Sequence, residues 1–369
     1  MGPGGDPPAW PVPGRSDWGV FDGEDLVAQA FRRRYTSWFG GAQIPTCGYA
    51  GVTIAAEHRG RGLLQPLLTA VQQEAREAGE VIATLFASAP GLYRRFGFEL
   101  ITSHEVIEVP TESAASVRPG PGVHTRRAGA GDQPAIEQVY RTWARAQNGP
   151  LTRTGPSFPA TDLSAAFTAV SLACDEDGAV LGYASWNRGP REDSPIEVAD
   201  LIALTPAAYR ALWRMLGSFA SVTPAIRLRT SGSDVARLFL PARAWRAVST
   251  NPYMLRVDDV VAAFTLRGVP VPEQVRFAVA GDLLASMDGT YVLHPGEDGA
   301  GTCERTGPAG GAPAGTPVYT PGGLALAWAG VQSSANLRLA GGLSGGDGTT
   351  DAVLDRALGG WPVHIRDAF

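Results

Sequence analysis

The sequence has no lysine; all 31 of its basic residues are arginine. Schiff-base chemistry, a Walker lysine and a lysine general base are therefore excluded together. Lysine codons are AT-rich and those of Ala, Arg, Gly and Pro are GC-rich, so genomic base composition accounts for the gap. Cysteine is scarce too. Cys47, Cys174 and Cys303 are odd in number and far apart, which fits neither a disulfide framework nor a paired-cysteine metal site and points to a reducing compartment. His58, His104, His124, His294 and His364 show no paired spacing, so no metal site is expected. No apolar run reaches the ~18 residues of a membrane span, and nine of the first fifteen residues are Gly or Pro rather than an apolar leader. Net charge is −5 and no basic cluster exceeds Arg32-Arg33-Arg34, too little for a nucleic-acid surface. The expectation is a cytoplasmic protein with neither a nucleic-acid nor a membrane partner.

What is present is a folded chain rich in loops. Hydrophobic residues make up 44% of the 369 and charged ones 18%, while Gly (46) and Pro (29) are well above average use. At ~100–200 residues per domain, two or three domains are implied. Trp18–Phe21 and Leu26–Phe39 read as strands around the turn Asp22-Gly23, and Cys47–Ala55 as another. From Gly62 onward Leu63, Leu64, Leu67, Leu68, Val71, Ala75 and Ala78 recur at helical spacing until Gly79. Val81–Ala87 is a buried strand and Pro90–Phe96 a short helix, so the alternation marks an α/β unit. Pro110–Gly122 is a polar, Pro/Gly-rich linker that sets a first domain at 1–110.

A second unit, 123–258, repeats this layout. Its helix Asp132–Gln147 turns Ile136, Val139, Tyr140 and Trp143 inward. Strands are expected at Ala179–Trp186, Ile196–Leu204, Ile226–Thr230 and Tyr253–Val257, with Thr205-Pro206 capping a helix Ala207–Phe219. Asp175-Glu176-Asp177-Gly178 reads as a hairpin turn, because no Glu follows where a calcium loop needs one. A third unit, 260–369, begins with a helix Val261–Arg267 and strands Val275–Ala280 and Gly289–His294. Gly296–Pro317 is expected as a long surface loop, and Asp351–Ala357 as a short helix.

The strongest local pattern is Val52-Thr53-Ile54-Ala55-Ala56-Glu57-His58-Arg59-Gly60-Arg61-Gly62-Leu63-Leu64. A strand runs into an Arg/Gly turn and then a helix start, so backbone N–H groups and a helix N-terminus converge on one anion site. It lacks both GK[ST] and GxGxxG. A second pattern follows at Leu85-Phe86-Ala87-Ser88-Ala89-Pro90-Gly91-Leu92-Tyr93-Arg94-Arg95-Phe96-Gly97-Phe98, where a strand ends in a small-residue turn and Tyr93 stands on a short helix. Taken alone, Tyr93 is a half-buried core aromatic. Phe31, Tyr35, Trp38 and Phe39 fit a substrate-pocket floor or strand packing equally.

The two patterns together resemble the GNAT superfamily of N-acetyltransferases, with Arg59 and Gly62 at the first two fixed positions of R/Q-x-x-G-x-G/A and Leu64 in place of the final small residue. HRGRGLL followed by LFASAPGLYRRFGF is similar more narrowly to the enhanced intracellular survival (Eis) family, as are VYRTWARAQNGPLTR, LWRMLGSF and the ending RDAF. The resemblance implies a mixed α+β fold of tandem GNAT-like domains followed by a sterol-carrier-protein-like domain. It implies acetyl-CoA as co-substrate, an amine such as an aminoglycoside or other polyamine as acceptor, and a homohexamer. Carried over by position, Val52, Thr53 and Ile54 would face the pantetheine arm, and Arg59, Gly60, Arg61, Gly62 and Leu63 the pyrophosphate. Ser88 would lie near the thiol, Tyr93 would be the general acid, and the C-terminal carboxylate of Phe369 would help deprotonate the amine.

Besides Leu64, the sequence departs from the family in three places, and its second unit lacks the cofactor pattern on its own terms. Ser88-Ala89-Pro90 replaces Ser-Glu-Gly, so Pro90 removes a backbone donor. Gly60 replaces a frequent arginine. The second unit's turn, Leu204-Thr205-Pro206-Ala207-Ala208, has neither Gly nor Arg, so that unit is expected to shape the protein rather than hold cofactor. The family's opening strand and two helices, one wall of the amine pocket, have no counterpart ahead of Trp18, so a first domain truncated at its N-terminus is expected, with a misassigned chain start as its favoured cause. The competing expectation is a non-catalytic protein that binds coenzyme A or lipid; the third unit is expected mainly to deliver Phe369 to the first.

Overall fold

The computed structural model describes residues 11–158, 163–191, 193–232, 234–296 and 299–369. Most of the Gly/Pro-rich opening therefore lies outside the described residues. The first unit begins with an antiparallel meander: β1 (Arg15–Asp22), β2 (Asp25–Phe39) and β3 (Ala42–Ile54). Its second reversal uses Gly40 and Gly41 at φ 59° and 79°, the left-handed pair that a tight hairpin demands. Helix α1 (Leu64–Glu77) follows and buries Leu67, Leu68, Val71 and Ala75 against the sheet, each leucine contributing about 1.5–3 kcal/mol. It stops where Gly79 turns to φ 78° and the Gly79 and Glu80 amides donate to Arg76 and Ala75 carbonyls. β4 (Ile82–Phe86) then runs parallel to β3, and α2 (Pro90–Arg94) leads into β5 (Glu99–Pro110).

Between the first two units the structure differs from the sequence reading. Part of the expected linker is helix α3 (Thr111–Ala115), with Thr111 and Ala114 buried. It packs so closely on a helix of the second unit that a Cβ at Gly217 would lie 2.2 Å from the Ala115 nitrogen. Small residues, polar in sequence, here permit backbone approach. The second unit comprises β6 (Val123–Arg127), α4 (Gln133–Arg145), α5 (Leu163–Ala166), β7 (Ala169–Asp175), β8 (Val180–Arg188), β9 (Ile196–Ala203), α6 (Pro206–Gly217), β10 (Ala225–Thr230) and β11 (Arg246–Val257). The β7–β8 turn is the expected hairpin, closed by Asp175 Oδ1 accepting from the Asp177 and Ala179 amides.

Both units share one eleven-stranded sheet, in the order β1-β2-β3-β4-β11-β5-β10-β9-β8-β7-β6. β11, the last strand of the second unit, enters between β4 and β5 of the first, while β5 pairs on its other edge with β10. The C-terminal ends of β4 and β10 consequently approach the same stretch of β5, at Thr102 and Glu105.

The third unit contains α7 (Val260–Arg267), β12 (Val275–Val279), β13 (Gly289–His294), β14 (Thr302–Gly307), β15 (Val318–Tyr319), α8 (Pro321–Ala329), α9 (Ser334–Leu339), β16 (Leu343–Ser344) and α10 (Gly348–Leu358). Its strands form a separate sheet, β14-β13-β12-β15-β16. The expected surface loop 296–317 contains β14, an edge strand whose one buried side chain, Cys303, leaves no alternating pattern to read. Helix α8 is apolar on every face and buried, so it too lacks an amphipathic signal. Its Trp328 meets Phe39 in a tilted ring contact at 4.7 Å and ties the third unit to the first. From α10 the chain returns as an extended tail, 359–369, that pairs in parallel with Asn148 at Val363.

Candidate active site at the parting of β3 and β4

β3 and β4 pair only from Thr46↔Ile82 to Tyr49↔Leu85. Beyond Tyr49, β3 follows β2 through a bulge at Gly51 (φ 59°), where a Cβ would strike the Phe31 ring at 2.3 Å. β4 departs with β11, placing Phe86 opposite Tyr253. The strands open a cleft, and Val52, Thr53 and Ile54 form its β3 edge. Val52 and Ile54 are half-buried and Thr53 is exposed.

The Arg/Gly turn closes one end of this cleft. After a single turn at Ala56–His58, Arg59 is extended and Gly60 and Gly62 adopt φ 78° and 76°. A Cβ at either glycine would meet nothing within 4 Å, so these residues are glycine for backbone conformation and not for space. Gly60 is thus where the family's arginine would be strained. The amides of Gly60, Arg61, Gly62 and Leu63 make no backbone hydrogen bond among the described residues, and no side chain caps α1. Such a run of free donors at the start of a 14-residue helix is an anion cradle. Both arginines are exposed: Arg59 Nε lies 3.4 Å from the Ile54 carbonyl, and Arg61 Nη1 is 3.3 Å from His58 Nδ1. These are donors suited to a phosphate group, and Leu64 packs half-buried beside Leu63.

Tyr93 follows β4, the other side of the parting, on α2. Its ring belongs to the apolar cluster that also receives Val52, Ile54 and Leu63, so the fold brings these sequence candidates together. The residue is 8% exposed, and its hydroxyl makes no hydrogen bond among the described residues. Burial raises its pKa above the ordinary phenol value, so it carries its proton at neutral pH. Pro90 occupies the first turn of α2, where an N–H would have no helical partner anyway, so its missing donor costs the helix nothing. Ser88 is exposed in the turn before it. The turn after Tyr93 is pinned by the buried Arg256, which donates to the Phe96 carbonyl at 2.6 Å and pairs with Asp258 and Asp282 at 2.6 and 2.8 Å.

Phe369 belongs to a second apolar cluster that meets the cleft at Phe86. Its ring lies 5.3 Å from Phe86, 4.8 Å from Tyr35 and 6.4 Å from Tyr253. Gly48 makes room, since a Cβ there would press on Tyr35 and Phe369 at 2.6 and 2.8 Å. Of the four aromatics of β2, Tyr35 alone reaches Phe369. Phe31 carries the Arg15 guanidinium at 3.8 Å, Phe39 meets Trp328, and Trp38 joins the core beneath α4. Sequence reasoning missed the anchor of the tail. Arg153 holds Asp200 through two bonds of 2.5 and 3.0 Å and Asp367 at 3.0 Å, while Tyr140 Oη donates to Asp367 at 3.3 Å. Arg153 adopts φ 56°, unusual for a non-glycine residue; the stretch VYRTWARAQNGPLTR, which holds Tyr140 and Arg153, and the ending RDAF were the available signals. Among the described residues, no group of His, Cys, Asp or Glu is arranged to hold a metal ion, and no helix is long and apolar enough to cross a membrane.

Comparison with known proteins agrees with this geometry. The acetyltransferase (GNAT) domain family matches residues 13–101, and a second acetyltransferase (GNAT) domain family matches residues 141–262. An uncharacterized N-acetyltransferase of Streptomyces avermitilis is 32% identical over 308 residues, 78% of this chain and 74% of its own. The N-acetyltransferase Eis of Mycobacterium tuberculosis is 27% identical over 278 residues, 71% of this chain and 66% of its own. The chain is a GNAT N-acetyltransferase of the Eis type. Another GNAT protein, a GCN5-related N-acetyltransferase of Kribbella flavida, superposes with a TM-score of 0.78 at 27% identity over 96% of this chain and 87% of its own. This Eis-type chain thus carries two GNAT units of unequal equipment. In the second, Thr205 caps the helix by accepting from the Ala208 amide at 3.2 Å, and Pro206 supplies no donor, so no free cradle forms.

Proposed function

We propose that the first unit transfers the acetyl group of acetyl-CoA to a primary amine of an aminoglycoside, a polyamine or a lysine-like acceptor. What supports this reading is that Tyr93, whose burial keeps its phenol protonated, shares an apolar cluster with Val52, Ile54 and Leu63, next to a turn whose amides have no backbone partner among the described residues. The amides of residues 60–63, with Arg59 and Arg61, hold the pyrophosphate; Val52, Thr53 and Ile54 pair with the pantetheine arm, and Ser88 lies near the sulfur. The amine nitrogen attacks the thioester carbonyl, the N–C bond forms and the C–S bond breaks. Tyr93 gives its proton to the leaving sulfur, and the Phe369 carboxylate accepts the proton lost by the amine, through water. No covalent enzyme intermediate is needed, in keeping with a chain that has no lysine and whose cysteines are all buried.

The reading divides the chain at 1–110, 123–258 and 260–369, with the last unit sterol-carrier-like and serving to deliver the tail, in a cytoplasmic homohexamer. A thiol-release assay with acetyl-CoA and a panel of amines tests it. Tyr93→Phe is expected to lower kcat about 10²–10³-fold with little change in acetyl-CoA KM, and extension beyond Phe369 to lower it similarly. Full activity in both variants would refute the assigned roles.

A further inference from the structure

The second unit repeats the parting of strands seen in the first. β9 and β10 pair in parallel only from Ile196↔Ile226 to Val198↔Leu228. Leu201 lies three residues beyond the last paired residue of β9, as Val52 lies three beyond Tyr49 in β3. Arg229 lies one residue beyond the last pair in β10, as Phe86 does in β4. Both exposed carbonyls are occupied by one side chain of the C-terminal tail. Arg366 Nη2 donates to the Leu201 carbonyl at 3.2 Å, and Nη1 donates to the Arg229 carbonyl.

We propose that the second unit is a docking site for the chain's own C-terminus, with the Arg366 guanidinium filling the place that the cofactor's arm has in the first unit, and that Arg366 is a positioning residue for Phe369. The proposal rests on the role given to Phe369 above. A buried arginine is expensive to desolvate unless it is paired. Arg366 is 5% exposed, its nearest carboxylate is Asp234 at 3.8 Å, and its Nε has no partner among the described residues. A charge so placed serves location more than stability. Its planar fork is what can reach two carbonyls on diverging strands at once; an ammonium is a point donor. Two residues earlier in the tail, His364 is fixed from the same unit, its Nδ1 lying 3.2 Å from the Ser231 carbonyl. From Arg366 to Phe369 is three residue steps, about 10 Å of extended chain; Arg153 holds Asp367 within that stretch, so the Arg366 clamp and that pair set the position of Phe369 together. A cavity of about 490 Å³ remains beside the clamp, lined among others by Trp143, Tyr209, His364 and Arg366, so the tail fills only part of the second cleft.

The test compares Arg366→Ala and Arg366→Lys with wild type in amine acetylation, acetyl-CoA binding and release of Phe369 by carboxypeptidase. Arg366→Ala is expected to lower kcat about 10²-fold with acetyl-CoA affinity unchanged, to speed Phe369 release at least tenfold, and to regain activity with added ethylguanidinium. Arg366→Lys keeps the charge beside Asp234, and therefore the fold, yet is expected to fall between the two in both readouts. Wild-type kcat and wild-type Phe369 release in either variant would overturn the proposal, as would loss of acetyl-CoA binding in step with activity. If the wild-type protein acetylates no amine, the catalytic reading fails, and the rate of Phe369 release still decides whether Arg366 docks the tail.

Discussion

His364 offers a quantitative test of the tail's anchorage. Burial, and then the neighbouring Arg366 charge, lower its pKa from 6.5 to about 3, against a smaller opposing pull from Asp234. The Trp143 ring covers it at 5.1 Å. As pH falls below 6.5 the unfolded chain takes up a proton at this position that the folded chain refuses until about pH 3. Its effect on stability is therefore absent above the ordinary imidazole pKa and grows as pH falls through the window from 6.5 to about 3. At ~1.4 kcal/mol per pH unit, the loss at pH 5 is about 2 kcal/mol. The comparison is His364→Asn, which keeps a donor for Ser231. Urea unfolding at pH 7 and pH 5 is expected to show wild type losing about 2 kcal/mol more than the variant. His104, whose pKa burial also lowers, titrates in both proteins and cancels. Equal losses would refute the claim that His364 is held neutral between Arg366 and the sheet.

Two further outcomes probe the first unit. Gly62→Ala places a Cβ in open space but at φ 76°, so the cost is backbone strain of about 1–2 kcal/mol; acetyl-CoA KM is expected to rise several-fold in steady-state kinetics with kcat little changed, and an unaltered KM would remove the turn from the cofactor site. Leu68 is fully buried beneath the sheet, and Leu68→Ala is expected to cost about 2–5 kcal/mol in urea unfolding, whereas a loss under 1 kcal/mol would show that the α1 face is not the packing surface described.

The elements legible in sequence are those whose signals are local. The α1 stripe from Leu67 to Ala75, the Gly79 stop, the hairpin at Asp175–Gly178 and the Thr205 cap each depend on residues within a turn or two of one another. The Arg59–Leu63 turn was legible for the same reason, since two glycines spaced around an arginine dictate a backbone conformation. β14 and α8 were missed because one has a single buried side chain and the other has no polar face. The small residues of α3 looked like a linker because their partner, Gly217, lies about a hundred positions away.

The sequence by itself determined the Arg/Gly turn, the helix after it and the short helix that carries Tyr93, because adjacent residues set strand, turn and helix starts through their own dihedral preferences and periodicity. Only the tertiary structure decided how the units share work. It inserts β11 between β4 and β5, brings Phe369 onto Phe86 and Tyr35, and seats Arg366 between Leu201 and Arg229. Those contacts join residues far apart in the chain, where no period or spacing carries information. They are chosen by which apolar faces can be buried together and which backbone carbonyls remain without a partner.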